Sequence, residues 1–114
     1  MSANCIFCKI AKKEIPAQLL VDNEHLVALD DTSPKAPIHT LVIPKEHVTS
    51  IMDDFDGEQL YPAIFRALQK IARDKGVSET GFRIIVNAGP EAGQSVDHLH
   101  FHLMGGRPMK WPPG

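Results

Sequence analysis

Asp97-His98-Leu99-His100-Phe101-His102-Leu103-Met104 decides how the rest of this chain is read. Successive side chains of a β-strand point to opposite faces, so this stretch sends three imidazoles one way and Leu99, Phe101 and Leu103 the other. The apolar face belongs against a core, which predicts a strand over His98 to Met104. The other face carries three of the chain's six histidines. An edge strand with solvated histidines satisfies the pattern, but the spacing also has two chemical uses. Alternate imidazoles can converge on a zinc ion that keeps an open fourth position. An imidazole oriented through one nitrogen can instead attack phosphorus through the other, and its neighbours then handle protons and charge around a covalent intermediate.

Outward from the strand, Ala88 to Gln94 is a loop rich in Gly and Pro. Its Gly89, Gly93 and Gln94, with Ser95, offer backbone N–H groups and a hydroxyl suited to phosphate oxygens. From Ile84 to Gly106 there is no Lys or Arg. Negative charge developing there is met by amides and histidinium, not by a basic clamp. Phe82 to Asn87 reads as a strand, as does His39 to Ile43, which Pro44 ends. Gln18 to Asp22 and His25 to Asp30 read as a hairpin, with Asp22-Asn23-Glu24 as its turn. Residues 4 to 13 read as a short helix or turn whose Ile6, Phe7 and Ile10 share an inward face. From Asp56 to Lys75, Leu60, Ile64, Leu68 and Ile71 follow helical spacing, with Gly76 placed to end the helix and Pro62 expected to disturb its first turns. Strands that alternate poorly with helices, one dominant helix and short connections predict an α+β fold with a mainly antiparallel sheet. The tail from Pro108 to Gly114 is expected to dock on something and not to fold alone.

The 114 residues, 43% hydrophobic and 23% charged, fit one globular domain spanning 1–114. A domain this short is marginal, so a partner copy or a bound metal would help it. A net charge of −2 argues against a basic face for nucleic acid or an anionic membrane and favours a small ligand. Without an 18-residue apolar run or the apolar core of a signal peptide, the cytoplasm is the expected location. Cys5 and Cys8 lie too close together to staple distant parts of the chain, which leaves metal ligation or redox chemistry.

Asn87-Ala88-Gly89, Gly93-Gln94-Ser95 and His98 through Arg107 resemble the histidine triad (HIT) family, Hint branch, in its bacterial-type form with an N-terminal C-x-x-C. The likeness extends through Phe7-Cys8-Lys9-Ile10, Glu14-Ile15-Pro16, Asp31-Thr32-Ser33-Pro34, Pro37-Ile38-His39, Val42-Ile43-Pro44-Lys45 and Trp111-Pro112-Pro113-Gly114. Only Ser50 to Thr80 is unremarkable. The resemblance implies a five-stranded, mainly antiparallel sheet with one long and one short helix, continued across a homodimer. It also implies hydrolysis or transfer at the α-phosphate of purine nucleoside phosphoramidates of the AMP or GMP type, with His100 forming a nucleotidyl-histidine and no metal in the chemical step. His39 and His102 would flank His100, Ser95 would sit near the leaving group and Asn87 near the phosphate and sugar. Asp31 would hold ribose hydroxyls, and Ile6, Phe7, Ile10 and Leu29 would form the base slot, which Thr32 makes more polar than the family's usual apolar residue would. Trp111 and the tail resemble a segment that reaches toward the partner's site. A structural zinc on Cys5, Cys8, His47 and His98 completes the expectation, while His25 matches no pattern and is expected at the surface.

Two other functions compete with the phosphoramidase. One is a metallohydrolase whose zinc sits on the three triad histidines, which would lose turnover when stripped of metal. The other is a non-catalytic nucleotide-binding or scaffold protein, which would bind nucleotide and release no product.

Overall fold

The computed structural model describes residues 4–114. In chain order its elements are α1 (Ile6–Ala11), β1 (Val21–Asp22), β2 (Leu26–Asp30), β3 (Ile38–Pro44), α2 (Gly57–Asp74), β4 (Phe82–Val86), a single 3₁₀ turn (Pro90–Ala92) and β5 (Phe101–Gly105). The strands form one sheet in the order β1-β2-β3-β5-β4, antiparallel at every pairing. β5 is thus a central strand, with His102 opposite Leu41 on one side and Ile85 on the other.

Strand alternation divides the core in two. Leu26 and Ala28 of β2, Val42 of β3, and Leu99, Phe101 and Leu103 pack with Leu60, Ile64, Leu68 and Ile71 of α2. Val27, Leu29, Leu41 and Ile43 turn to the other face and pack with Phe7, Ile10 and Ala11 of α1. The sheet is therefore covered by the long helix on one side and by the N-terminal helix on part of the other.

The Asp56 carboxylate caps α2 by accepting from the Glu58 N–H at 3.0 Å. Its C-terminus closes with Val77 N–H donating to Ala72 at 2.9 Å and Gly76 N–H to Arg73 at 3.1 Å, the paired bonds of a Schellman motif. Gly76 takes the required left-handed turn at φ 78°. Pro62 does not break this helix, contrary to expectation: the helix runs unbroken from Gly57 to Asp74. Glu58 and Pro62 are both exposed, so the carbonyl that loses its intrahelical donor lies at the solvent face.

Two strand expectations are corrected. The first arm of the hairpin shrinks to Val21–Asp22, although Leu20 N–H still bonds Ala28 at 2.7 Å and the Asn23 side chain accepts from the N–H groups of His25 and Leu26. The final strand begins at Phe101 and not at His98. Backbone groups just before it are bonded elsewhere: Leu99 N–H donates to Val48 at 2.6 Å, and the His98 carbonyl accepts from the ring of His100. Face alternation survives this, since Leu99 lies in the α2-side core while His98 and His100 are buried opposite it at 0% and 5% exposure. Solvated histidines on an edge strand are therefore ruled out.

Candidate active site and metal centre

The three histidines of the motif divide between two places. His98 faces Cys5, Cys8 and His47, whereas His100 and His102 line a cavity of about 840 Å³. Ile6, Phe7 and Ile10 from α1, Leu29, Asp31 and Thr32 at the end of β2, and Ser95 share that cavity with them. The structure thus brings an apolar slot, a carboxylate, a hydroxyl and two imidazoles onto one concavity.

Each ring's outward nitrogen fixes what its other nitrogen can do. His100 Nδ1 lies 2.7 Å from the His98 carbonyl, which can only accept, so Nδ1 carries the proton. Its Nε2 therefore holds a lone pair, the state a nucleophile needs. Lys35 N–H donates to His39 Nδ1 at 3.0 Å, which places the His39 proton on Nε2. That proton is donated to His102 Nδ1 at 2.9 Å, so neutral His102 presents an Nε2–H. His102 is thereby left as a donor beside the nucleophile, their ring centroids 5.0 Å apart.

Burial favours these neutral forms. The His102 pKa is pushed down to about 4 by loss of hydration, aided by His100 and His39 and opposed by Asp31. Burial also lowers that of His39; the Asp31 carboxylate, 3.5 Å from His39 Nε2, pulls the other way, and Lys35 adds to the lowering.

His98 shows the opposite polarity at its outer nitrogen. Its Nε2 lies 2.8 Å from the Pro44 carbonyl, so Nε2 is the donor and Nδ1 is the lone-pair nitrogen. Nδ1 stands 3.2 Å from Cys5 Sγ and 3.5 Å from Cys8 Sγ, and His47 Nδ1 is 3.2 Å from Cys8 Sγ. In a tetrahedral zinc site with Zn–S near 2.3 Å and Zn–N near 2.0–2.1 Å, such N···S separations come out at about 3.6 Å. All four ligand atoms lie within 4.8 Å of one another, so the donor set and its spacing fit a closed zinc centre. Burial is the main cause of a lowered His98 pKa, which the Pro44 bond opposes.

Among the described residues, Asp31, His39 and His102 form a second group of possible ligands within the same separation. The tautomers speak against it. A neutral His39 ligating through Nε2 must carry its proton on Nδ1, where Lys35 already directs an N–H. The ring of His98 points into the cysteine cluster, so the triad histidines do not share one metal, as the metallohydrolase alternative requires.

The loop before β5 differs from expectation. Gly93 N–H is bonded to Pro90, Gln94 N–H to Gly89, and Gly89 N–H to the Gln94 side chain. These amides hold the loop together and are not free to bind phosphate, which leaves Ser95 as the group of this loop that lines the cavity. Asn87 is half-buried beyond the end of β4, and Trp111 is 82% exposed; neither lines the cavity. His25 is half-buried beside Glu24, so it is not wholly at the surface. Leu41, Val96 and Lys75 line the cavity without having been foreseen. Leu41 was legible, since it shares the strand face of His39; Lys75 arrives from the end of α2 with no pattern to announce it.

No helix among the described residues is long and apolar enough to cross a membrane. The family described as HIT domain matches residues 12–109. A 14 kDa zinc-binding protein of Brassica juncea is 41% identical over 117 residues, covering 96% of this chain and 98% of its own. The structure of a HIT family hydrolase from Legionella pneumophila superimposes with a TM-score of 0.93 at 45% identity, over 97% of this chain and all (100%) of that one. A histidine triad nucleotide-binding protein from Candida albicans superimposes with a TM-score of 0.83 at 32% identity, over 96% of this chain and 83% of that one.

Proposed function

The chain belongs to the HIT domain family, and from that premise we propose that it hydrolyses purine nucleoside phosphoramidates at the α-phosphorus. The observation that carries the proposal is the bond from His100 Nδ1–H to the His98 carbonyl, which turns a lone pair on Nε2 to a cavity sized for a nucleotide. His100 Nε2 attacks phosphorus, forming a P–N bond to the ring while the bond to the amine breaks. The departing amine takes a proton, with Ser95 or a bound water as its source. Water then displaces the ring, giving the nucleoside monophosphate and restoring His100. The His102 Nε2–H, set in that tautomer by His39, donates to phosphate oxygens, Asp31 accepts from ribose hydroxyls, and Ile6, Phe7, Ile10 and Leu29 clasp the purine, with Thr32 at its edge. His98 contributes its carbonyl to the reaction and its ring to the metal centre.

Cys5, Cys8, His47 and His98 would hold a structural zinc that ties α1 to the segment that leads into β5 and carries the nucleophile; no metal enters the chemical step. The unit is one domain over 1–114, working as a cytoplasmic homodimer without nucleic acid or membrane. Support for pairing comes from β4, an edge strand whose Phe82 and Ile84 are exposed, as is Phe65 of α2. Trp111 and the tail would then serve the partner's site, which fits their exposure here; Asn87 acts near the phosphate and sugar, and Gln94 within the loop before Ser95.

Two in-line displacements each invert phosphorus, so hydrolysis of a substrate chiral at phosphorus is expected to proceed with net retention. Net inversion would mean direct attack by water and would remove His100 from the role of nucleophile.

A further inference from the structure

Gln94 stood among the candidate nucleotide contacts, yet its amide is spent on the protein itself. Its Oε1 accepts from the Gly89 N–H at 3.0 Å. Its Nε2 donates to the carbonyl of Thr49 at 2.7 Å and to that of Val96 at 3.0 Å. The orientation of the amide is fixed by chemistry, because a flipped group would set an oxygen against two carbonyls and an NH₂ against an N–H. Gln94 N–H also bonds back to Gly89 at 3.2 Å, so main chain and side chain of one residue close the turn from Gly89 to Gln94. Gly89 and Gly93 take φ of 91° and 81°, which makes this turn possible.

We propose that Gln94 is a positioning residue: its side chain clamps the 89–94 turn to the Thr49 carbonyl and so holds the next residue, Ser95, where it can deliver a proton to the leaving group. This rests on the reading of Ser95 and His100 given above. Ser95 has no hydrogen-bonding partner of its own among the described residues while it lines the cavity with His100, so its placement depends on the backbone on either side. Gln94 bonds on both sides of it, to Gly89 before and to Val96 after, and ties that hoop to a separate segment of chain at Thr49. A carboxylate at this position would keep the shape, lose both donors and face two carbonyls at about 3 Å, an acceptor-against-acceptor contact that the loop must relieve by moving.

The test compares wild type, Gln94→Glu, Ser95→Ala and the double variant on two adenosine phosphoramidates. One carries an alkylamine, which needs a proton to leave, and the other an electron-poor arylamine, which needs little help. Gln94→Glu is expected to lower kcat on the alkylamine substrate about tenfold or more, to change kcat on the arylamine less than about threefold, and to leave AMP affinity within about threefold. The double variant is expected to fall no further than Ser95→Ala alone, since both changes remove one function. Equal losses on the two substrates, or additive losses in the double variant, would overturn the proposal and leave the phosphoramidase reading standing. Failure of the wild type to cleave either substrate would overturn that reading, and this inference with it. Circular dichroism melting of Gln94→Ala separates the clamp from global stability: a kcat loss confined to the alkylamine substrate in a variant that melts as the wild type does supports the clamp. An unchanged kcat in that variant contradicts it.

Discussion

The ring of His98 and the ring of His100 stand two residues apart on one stretch of chain and face different places, the cysteine cluster and the cavity. Both are buried, both belong to the same alternating row, and both are set by a backbone carbonyl. The difference lies in which nitrogen meets that carbonyl. His98 gives Nε2–H to Pro44 and turns a basic Nδ1 toward two sulfurs, whereas His100 gives Nδ1–H to His98 and turns a basic Nε2 toward the cavity. Imidazole count and spacing are thus compatible with either chemistry, and the partner of the idle nitrogen decides between them.

The sharpest way to break this comparison is to remove one ring at a time. His100→Asn is expected to lower kcat on adenosine phosphoramidates by several orders of magnitude while AMP still binds, because the covalent route is lost. Steady-state kinetics showing more than about a tenth of wild-type kcat, a barrier change below about 1.4 kcal/mol, would refute the assignment.

The metal side predicts a loss of stability. Zinc is expected at one per subunit, and stripping it, or the change Cys8→Ala, should lower the melting temperature by roughly 10 °C or more, since metal bound only to the folded state stabilises it by mass action. Elemental analysis and calorimetry together check this. A metal-free protein, or a Cys8→Ala variant that melts as the wild type does, contradicts the cluster's role.

The smallest effect concerns acid. His102 has a folded pKa of about 4 against an unfolded value near 6.5. Between these values the unfolded chain binds a proton that the folded chain refuses, so stability is full above about pH 6.5 and falls as the pH drops toward 4. His39 contributes with the same sign. Denaturant titrations across this window should show a flatter pH slope in His102→Gln; an unchanged slope would place the coupling elsewhere.

Much of this was readable in the chain because the relevant signals are periodic. Alternation placed Leu99, Phe101 and Leu103 in the core and the imidazoles opposite them, and helical spacing placed the buried face of α2. The naming of Ile6, Phe7, Ile10, Leu29, Asp31 and Thr32 came from the family resemblance, and the structure brings these residues to one cavity. What periodicity does not carry is how polar groups are spent. Nothing in Gly89 to Gln94 says that its amides bond one another, so a loop that looked like an anion cradle is a closed turn. The division of the triad between two places came from the family resemblance and not from alternation, because a carbonyl partner such as Pro44 is set by tertiary placement and leaves no mark on residue type. Lys75 reaches the rim of the cavity from the end of α2 by the same kind of long-range placement.

The most direct test of the central claim is mass spectrometry of protein quenched in acid-free denaturant during turnover of an adenosine phosphoramidate, with the modified peptide sequenced. An adenylyl adduct on His100, absent from His100→Asn, is the result expected. An adduct on His98, His102 or Ser95, or none under conditions where product accumulates in a burst, would contradict the division of labour between the two neighbouring rings.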